Sequence, residues 1–251
     1  MLKELREDYK ILLRSVPAPT VTLFILSVIL MNLLASKELI SVPWIALDCG
    51  FTMSWVSFLC QDMICKRFGA KASVKISVLA LVINLAGTIL FWLISLTPGM
   101  WSAYYSTGSV EVNDALNATF AGTWYVVLGS SAAMLCSAFV NSHLNMFIGR
   151  RIDNGSFLTF AARSYISTLI GQFVDNLVFA IIVSYNFFGW TPTQVVVCAA
   201  TGAVAELLCE VALSPVAFKV AKGWEREGVG EAYVQRHAAD VARANVSKAS
   251  A

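Results

Sequence analysis

The sequence predicts an all-α integral membrane protein, a bundle of six transmembrane helices with both termini cytoplasmic. Three observations predict it. Hydrophobic residues make up 57% of the 251, and the mean hydropathy is +0.69. Charged residues make up 14%, against roughly 25% in ordinary soluble domains. Apolar runs near the ~20 residues that a helical span requires recur along the whole chain. A membrane β-barrel would instead show segments of about 10 residues alternating polar and apolar, and none occur here.

Residues 1–19 form a charged N-terminal segment in which Lys3, Arg6, Lys10 and Arg14 alternate with Glu4, Glu7 and Asp8. No small-residue cleavage site follows the first apolar run, so no removable signal peptide is expected. The transport domain is placed at 20–218, with spans near 20–36, 44–65, 74–96, 122–148, 164–188 and 194–218. The first span closes on MNLLASKELI, with Asn32 and Ser36 one turn apart and Lys37 in reach of the interface by snorkelling. The second opens at Asp48 near the outer surface and carries Ser54, Ser57 and Gln61 as a polar stripe. Asp62 and Lys66 follow one turn apart, a spacing for an ion pair.

The third span is apolar apart from Asn84 and Gly87 and reads as scaffold. A long outer loop is expected over 97–121, where Trp101, Tyr104 and Tyr105 suit the aromatic belt of a bilayer. Asn141 and Asn145 share one face at the close of the fourth span, with His143 on another. In the sixth span Glu206 and Glu210 stand one turn apart, and Pro215 is expected to bend the last turn. The tail, 219–251, reads as a short solvated helix or a disordered end.

Orientation comes from the basic residues. Lys66, Arg67, Lys71 and Lys75 lie in the second loop, Arg150, Arg151 and Arg163 in the fourth, and Lys219 and Lys222 begin the tail. With the basic N-terminus counted in, only Lys37 of the 18 Lys and Arg residues falls on the opposite side, which places both termini in the cytoplasm. These loops are therefore orientation signals, and no nucleic-acid partner is expected. The six cysteines have no metal-ligand spacing, so they read as packing residues and neither metal nor cofactor is expected.

The fifth span, RSYISTLIGQFVDNLVFAIIVSYNFF, places Gln172, Asp175 and Asn176 near its middle. A carboxylate at membrane depth costs at least about 2.5–3.5 kcal/mol, so it faces a bundle interior or an aqueous cavity. Spacings of three and four put the three side chains on one helical face. At about 1.5 Å per residue, Asp175 lies about 18 Å from the start of its span near Arg163, and Glu206 about 18 Å from its own near Gln194. Antiparallel helices thus bring both carboxylates to one depth, as a binding site in a helical carrier requires. No Walker signature, zincin motif or nucleophile elbow occurs, and the depths of Asp62 and Asp175 differ too much for an aspartyl dyad, so no enzyme is expected.

Several segments, in order, resemble the queuosine precursor transporter family, also called the VUT or YhhQ family. They are NLLASK, QDMICKRFGAK, FVNSHL, STLIGQFVDNLVF and CEVALSP, spread from Asn32 to Pro215. The resemblance implies a six-helix carrier of the inner (plasma) membrane. It would import 7-deazaguanine bases such as 7-cyano-7-deazaguanine for tRNA modification. It carries over Asn32, Lys37, Asp62, Gly69, Asn141, Gln172, Asp175 and Glu210. Two positions depart from the family pattern: Lys66 stands where an acid is usual and Glu206 where a lysine is usual, which suggests a pair with reversed polarity.

The resulting candidate site is Asn32, Gln61, Asp62, Asn141, Asn145, Gln172, Asp175, Asn176, Glu206 and Glu210. A purine-like base offers N–H donors, a carbonyl and a flat ring, which carboxylates, amides and aromatic slabs such as Phe173, Phe179 or Trp55 would receive. The expected partners are this small molecule and membrane lipid, with homo-oligomerisation left open. The competing reading is a membrane subunit that binds a vitamin or other heterocycle and needs a separate energising partner.

Overall fold

The computed structural model describes residues 2–97, 110–149 and 157–238; the side chains of some helical residues, Asp62, Lys66, Asn141 and Asn145 among them, lie outside the described set. The chain begins with α1 (Leu2–Ser15) and α2 (Ala18–Leu34), which meet at an angle of 105°. Pro17 forces the break: it precedes α2 in an extended conformation and cannot donate the backbone bond that would continue α1. A β-hairpin follows, β1 (Glu38–Val42) antiparallel to β2 (Ile45–Asp48), with Val42 opposite Ile45 across the turn. Helices α3 (Phe51–Phe68), α4 (Ala70–Ser95), α5 (Val110–Gly149), α6 (Phe157–Phe179) and α7 (Pro192–Arg226) complete the bundle. A π-helical stretch, Ala180–Tyr185, extends α6.

Four stretches are long and apolar enough to cross a membrane: Lys71–Ser95, Asn113–Ser137, Thr168–Tyr185 and Pro192–Arg226. The bent α1–α2 pair adds a fifth when taken as one span. The expected second span, 44–65, is different in the structure. Residues 45–48 are in the hairpin, so α3 starts at Phe51 and reaches Gln61, Asp62, Lys66 and Arg67 within its 18 residues. That polar half lowers its apolarity below what a span by composition requires. The outer loop expected over 97–121 is also shorter: α5 already begins at Val110. Trp101, Tyr104 and Tyr105 lie outside the described residues.

Helix α1 and residues 227–238 gather at one end of the bundle. Leu12 of α1 and Val16 just after it pack with Ile64, Phe68 and Ile76 around the α3–α4 turn, with Trp224 near the end of α7 and with Tyr233 beyond it. Gly69 makes that turn at φ +86°, a backbone conformation that side chains disfavour. Lys75 pairs with Asp8 and lies over the ring of Tyr233, Tyr9 donates its hydroxyl to the Lys75 carbonyl at 3.2 Å, and Arg67 binds the Val229 carbonyl and Glu231. The tail forms a short helix over 231–238, one of the two expected forms, but it is not solvated throughout: Tyr233 is only 1% exposed. Burying a large aromatic is worth more than leaving this segment in water, and α1 supplies the facing surface.

The opposite end is closed by the hairpin. Gln194 donates to the Val42 carbonyl at 2.8 Å and Trp190 donates to Glu38, while Ala46 packs against Trp190 and Val195. Thr191 and Gln194 form a capping box that starts α7 at this point. Helix α7 then runs through Pro215 to Arg226, so the proline does not end it.

Candidate functional site

Two cavities open between the helices and share one wall. The larger, about 200 Å³, is lined by Asn32 of α2, Gln61 of α3, Ser77 of α4, Ser137 of α5, Gln172 and Asp175 of α6 and Glu210 of α7. The smaller, about 70 Å³, lies toward the hairpin and is lined by Asp48, Ser54, Asn176 and Glu206, with Phe51 and Phe179 as its aromatic walls. Met31, Asn32, Ser130 and Asp175 line both.

Helical spacing accounts for the arrangement. Gln172, Asp175 and Asn176 fall on one face of α6, and α5 and α7 pack beside that face. Gly202 lets α7 approach: a Cβ there would lie 2.9 Å from Asn176 Nδ2. The approach brings Asn176 Nδ2 to 3.5 Å from Glu206 Oε2 and lets Ser54 donate to the other Glu206 oxygen. Ser137 donates to Asp175 Oδ1 at 2.9 Å, and the Gly50 amide donates to Asp48 Oδ1 at 2.7 Å. Each of these three carboxylates thus holds at least one hydrogen bond, as buried polar groups require.

Gln172 differs. It is 1% exposed, and neither Oε1 nor Nε2 has a hydrogen-bond partner among the described residues. An unpaired buried polar group costs about 1–3 kcal/mol, so such an amide lining a cavity needs an explanation. Gln61 beside it is engaged, donating Nε2 to Ser77 Oγ at 3.0 Å. Among the described residues no Lys, Arg or His lines either cavity, and no cluster of three or more His, Cys, Asp or Glu is placed to hold a metal ion.

Of the ten residues proposed from sequence, the structure brings seven to these cavities. Asn32 and Asp175 lie in the shared wall, Gln61, Gln172 and Glu210 in the larger cavity, and Asn176 and Glu206 in the smaller. The side chains of Asp62, Asn141 and Asn145 lie outside the described set. Phe179 lines the smaller cavity, but Phe173 and Trp55 line neither; Phe24 and Phe58 stand in the larger one instead. Glu206 takes its hydrogen bonds from Ser54 and Asn176. Ser54 precedes Lys66 by three turns, about 18 Å of helix, so these bonds place Glu206 at the far end of α3 from Lys66.

Sequence reasoning missed Asp48, Ser130 and Ser137. Asp48 was assigned to the outer start of a helix, whereas the hairpin folds it inward over the smaller cavity. The serines had a signal, since hydroxyls at membrane depth bind across helices.

The family model described as "Putative vitamin uptake transporter" matches residues 48–220, from β2 through most of α7. The chain belongs to this vitamin uptake transporter (VUT) family. No curated protein and no solved structure matches it significantly. The match takes in every cavity-lining residue named above except those of α2. In this VUT protein α2 thus contributes Met31 and Asn32 to the shared wall from outside the matched region.

Proposed function

We propose that this VUT protein is a multi-pass carrier of the inner membrane that imports 7-deazaguanine bases, such as 7-cyano-7-deazaguanine, for tRNA modification. One observation carries the reading: Asp175, near the middle of the apolar span Thr168–Tyr185, belongs to the walls of two cavities that adjoin each other between the helices. A carrier must expose one site alternately to two sides, and a polar group common to both compartments is what that cycle needs. Carboxylates and amides beside phenylalanines suit a flat base with N–H donors and a carbonyl. The segment resemblance set out above supports the deazaguanine class within the broader vitamin uptake family.

The transport domain is 20–218, flanked by cytoplasmic segments 1–19 and 219–251. Arg67, Lys75 and Lys222 lie with α1 and residues 227–238 at one end of the bundle, which supports a cytoplasmic location for that end. Asp62 and Asn141 belong to the proposed site on the resemblance, and Asn145 on the helical face it shares with Asn141.

Uptake of labelled 7-cyano-7-deazaguanine by a host unable to synthesise it tests the reading, with the parent protein compared with Asp175→Asn at equal membrane abundance. We expect uptake by the parent and its loss in the variant. Absence of uptake by the parent would overturn the substrate, and full uptake by Asp175→Asn would overturn the site. A second reading, a membrane subunit that binds a vitamin or other heterocycle and needs a separate energising partner, is compatible with the family description. Uptake by the purified protein alone in lipid vesicles would exclude it.

A further inference from the structure

We infer that Gln172 is the residue that reads the ligand's edge, and that the edge it reads carries one hydrogen-bond donor beside one acceptor in the plane of a heterocycle. This rests on the carrier reading above and narrows its ligand chemistry.

A primary amide offers a carbonyl acceptor and an N–H donor side by side. In Gln172 both are enclosed and both lack a partner among the described residues, in the wall of the larger cavity. Neighbouring polar groups on that wall are already engaged. Gln61 donates to Ser77, Ser77 donates to the Ser73 carbonyl, Ser57 to the Ser54 carbonyl and Ser137 to Asp175. A ligand that supplied only an acceptor or only a donor would leave half of the Gln172 amide unpaired in an enclosed site, which is strongly disfavoured. Two heterocycle edges satisfy both halves at once: a lactam, with N–H beside C=O, and an amidine, with a ring nitrogen beside NH₂. The same pairing logic underlies recognition of adenine by side-chain amides.

Position strengthens the assignment. Gln172 lies one turn from Asp175 on the same face of α6, so a base paired with Gln172 abuts the wall common to both cavities. Asp175 already accepts from Ser137 and would take a donor from the ligand's far side. Gln172 would therefore set which edge is accepted, and Asp175 would follow the base across the wall.

The test uses purified full-length protein and three probes: 7-cyano-7-deazaguanine, its N1-methyl derivative, which lacks the lactam donor, and its N2,N2-dimethyl derivative, which lacks the amidine donor. The parent should bind one of the two methylated probes about tenfold or more weaker than the unmodified base. Which of the two is weakened distinguishes lactam from amidine. Gln172→Met, close in length and shape but with neither amide group, and Gln172→Leu should each lose that discrimination while keeping the parent's melting temperature within a few degrees. The methionine variant keeps the test valid if the leucine variant fails to fold. Equal discrimination in parent and Gln172→Met would overturn the inference and leave the carrier reading standing. No binding of any probe by the parent would overturn both.

Discussion

Substituting Gly202 with alanine tests the geometry of the smaller cavity with a single methyl group. The added Cβ would lie 2.9 Å from Asn176 Nδ2 and 3.4 Å from its Cγ. Carbon contacts are comfortable at about 3.5–4.0 Å, so the Asn176 amide must retreat by about 0.5–1 Å. Gly202 and Glu206 lie one turn apart on the same face of α7, so a retreat from one is a retreat from the other. The Asn176–Glu206 bond is already 3.5 Å long and would not survive. Its loss should weaken ligand binding by about 1 kcal/mol, which is about fivefold in Kd. Overpacking costs about 1–3 kcal/mol in stability, and alanine's better helix propensity returns about 1 of it.

The measurement is a double-mutant cycle of Gly202→Ala with Asn176→Ala, read by binding of labelled ligand and by thermal unfolding in detergent. Because both changes remove the same bond, their binding effects should not add. Gly87→Ala in α4 is the control: no atom lies within 4 Å of its Cβ, so propensity alone should act and stability should rise by about 0.5–1 kcal/mol. Additive binding losses, or a Gly202→Ala protein that binds like the parent, would refute the reasoning.

Two further outcomes are expected. Ser137→Ala removes the hydroxyl that donates to Asp175 at 2.9 Å; a bond to a carboxylate is worth about 1.5–3 kcal/mol, so uptake should fall by about tenfold or more at unchanged membrane abundance. Measuring uptake against Ser137→Thr, which keeps a hydroxyl, separates this from a packing effect. At the terminal end, burial pushes the Tyr233 phenol above its ordinary value of 10.0. The unfolded chain then loses this proton at lower pH than the folded one, so stability is full below about pH 10 and declines as pH rises through the folded value. Melting curves between pH 9 and 11 should show that decline in the parent and a smaller one in Tyr233→Phe.

The helical membrane class was legible because lipid imposes it: a chain this apolar must satisfy its backbone within helices. The face of α6 was legible for a related reason, since Gln172, Asp175 and Asn176 are too costly to place in hydrocarbon. What escaped notice was tertiary. Residues 45–48 are apolar enough to read as the start of a span, and only pairing with β1 and the tie from Gln194 to Val42 make them a strand. Tyr233 sits in a charged, alanine-rich tail, and nothing local announces that α1 and Phe68 will enclose it. The π-helical turn at Ala180–Tyr185 likewise depends on its setting: Gly129 on α5 leaves room for Val183 to pack directly against it. Periodicity reports which face of an element is apolar, and these three features depend on which neighbour arrives.

Glu206 and Glu210 show why the two cavities are best understood as one path. They are one turn apart on the same face of α7, about 6 Å along the axis, yet Glu206 lines the smaller cavity and Glu210 the larger. The wall between the cavities therefore meets α7 within a single turn. On α6 the same wall meets the chain at Asp175, with Gln172 on one side and Asn176 on the other. On α2 it is Met31 and Asn32, and on α5 Ser130. A barrier only one turn thick on each helix separates the two cavities; on the proposed carrier reading, opening it would carry the ligand from Gln172 to Glu206 past Asp175.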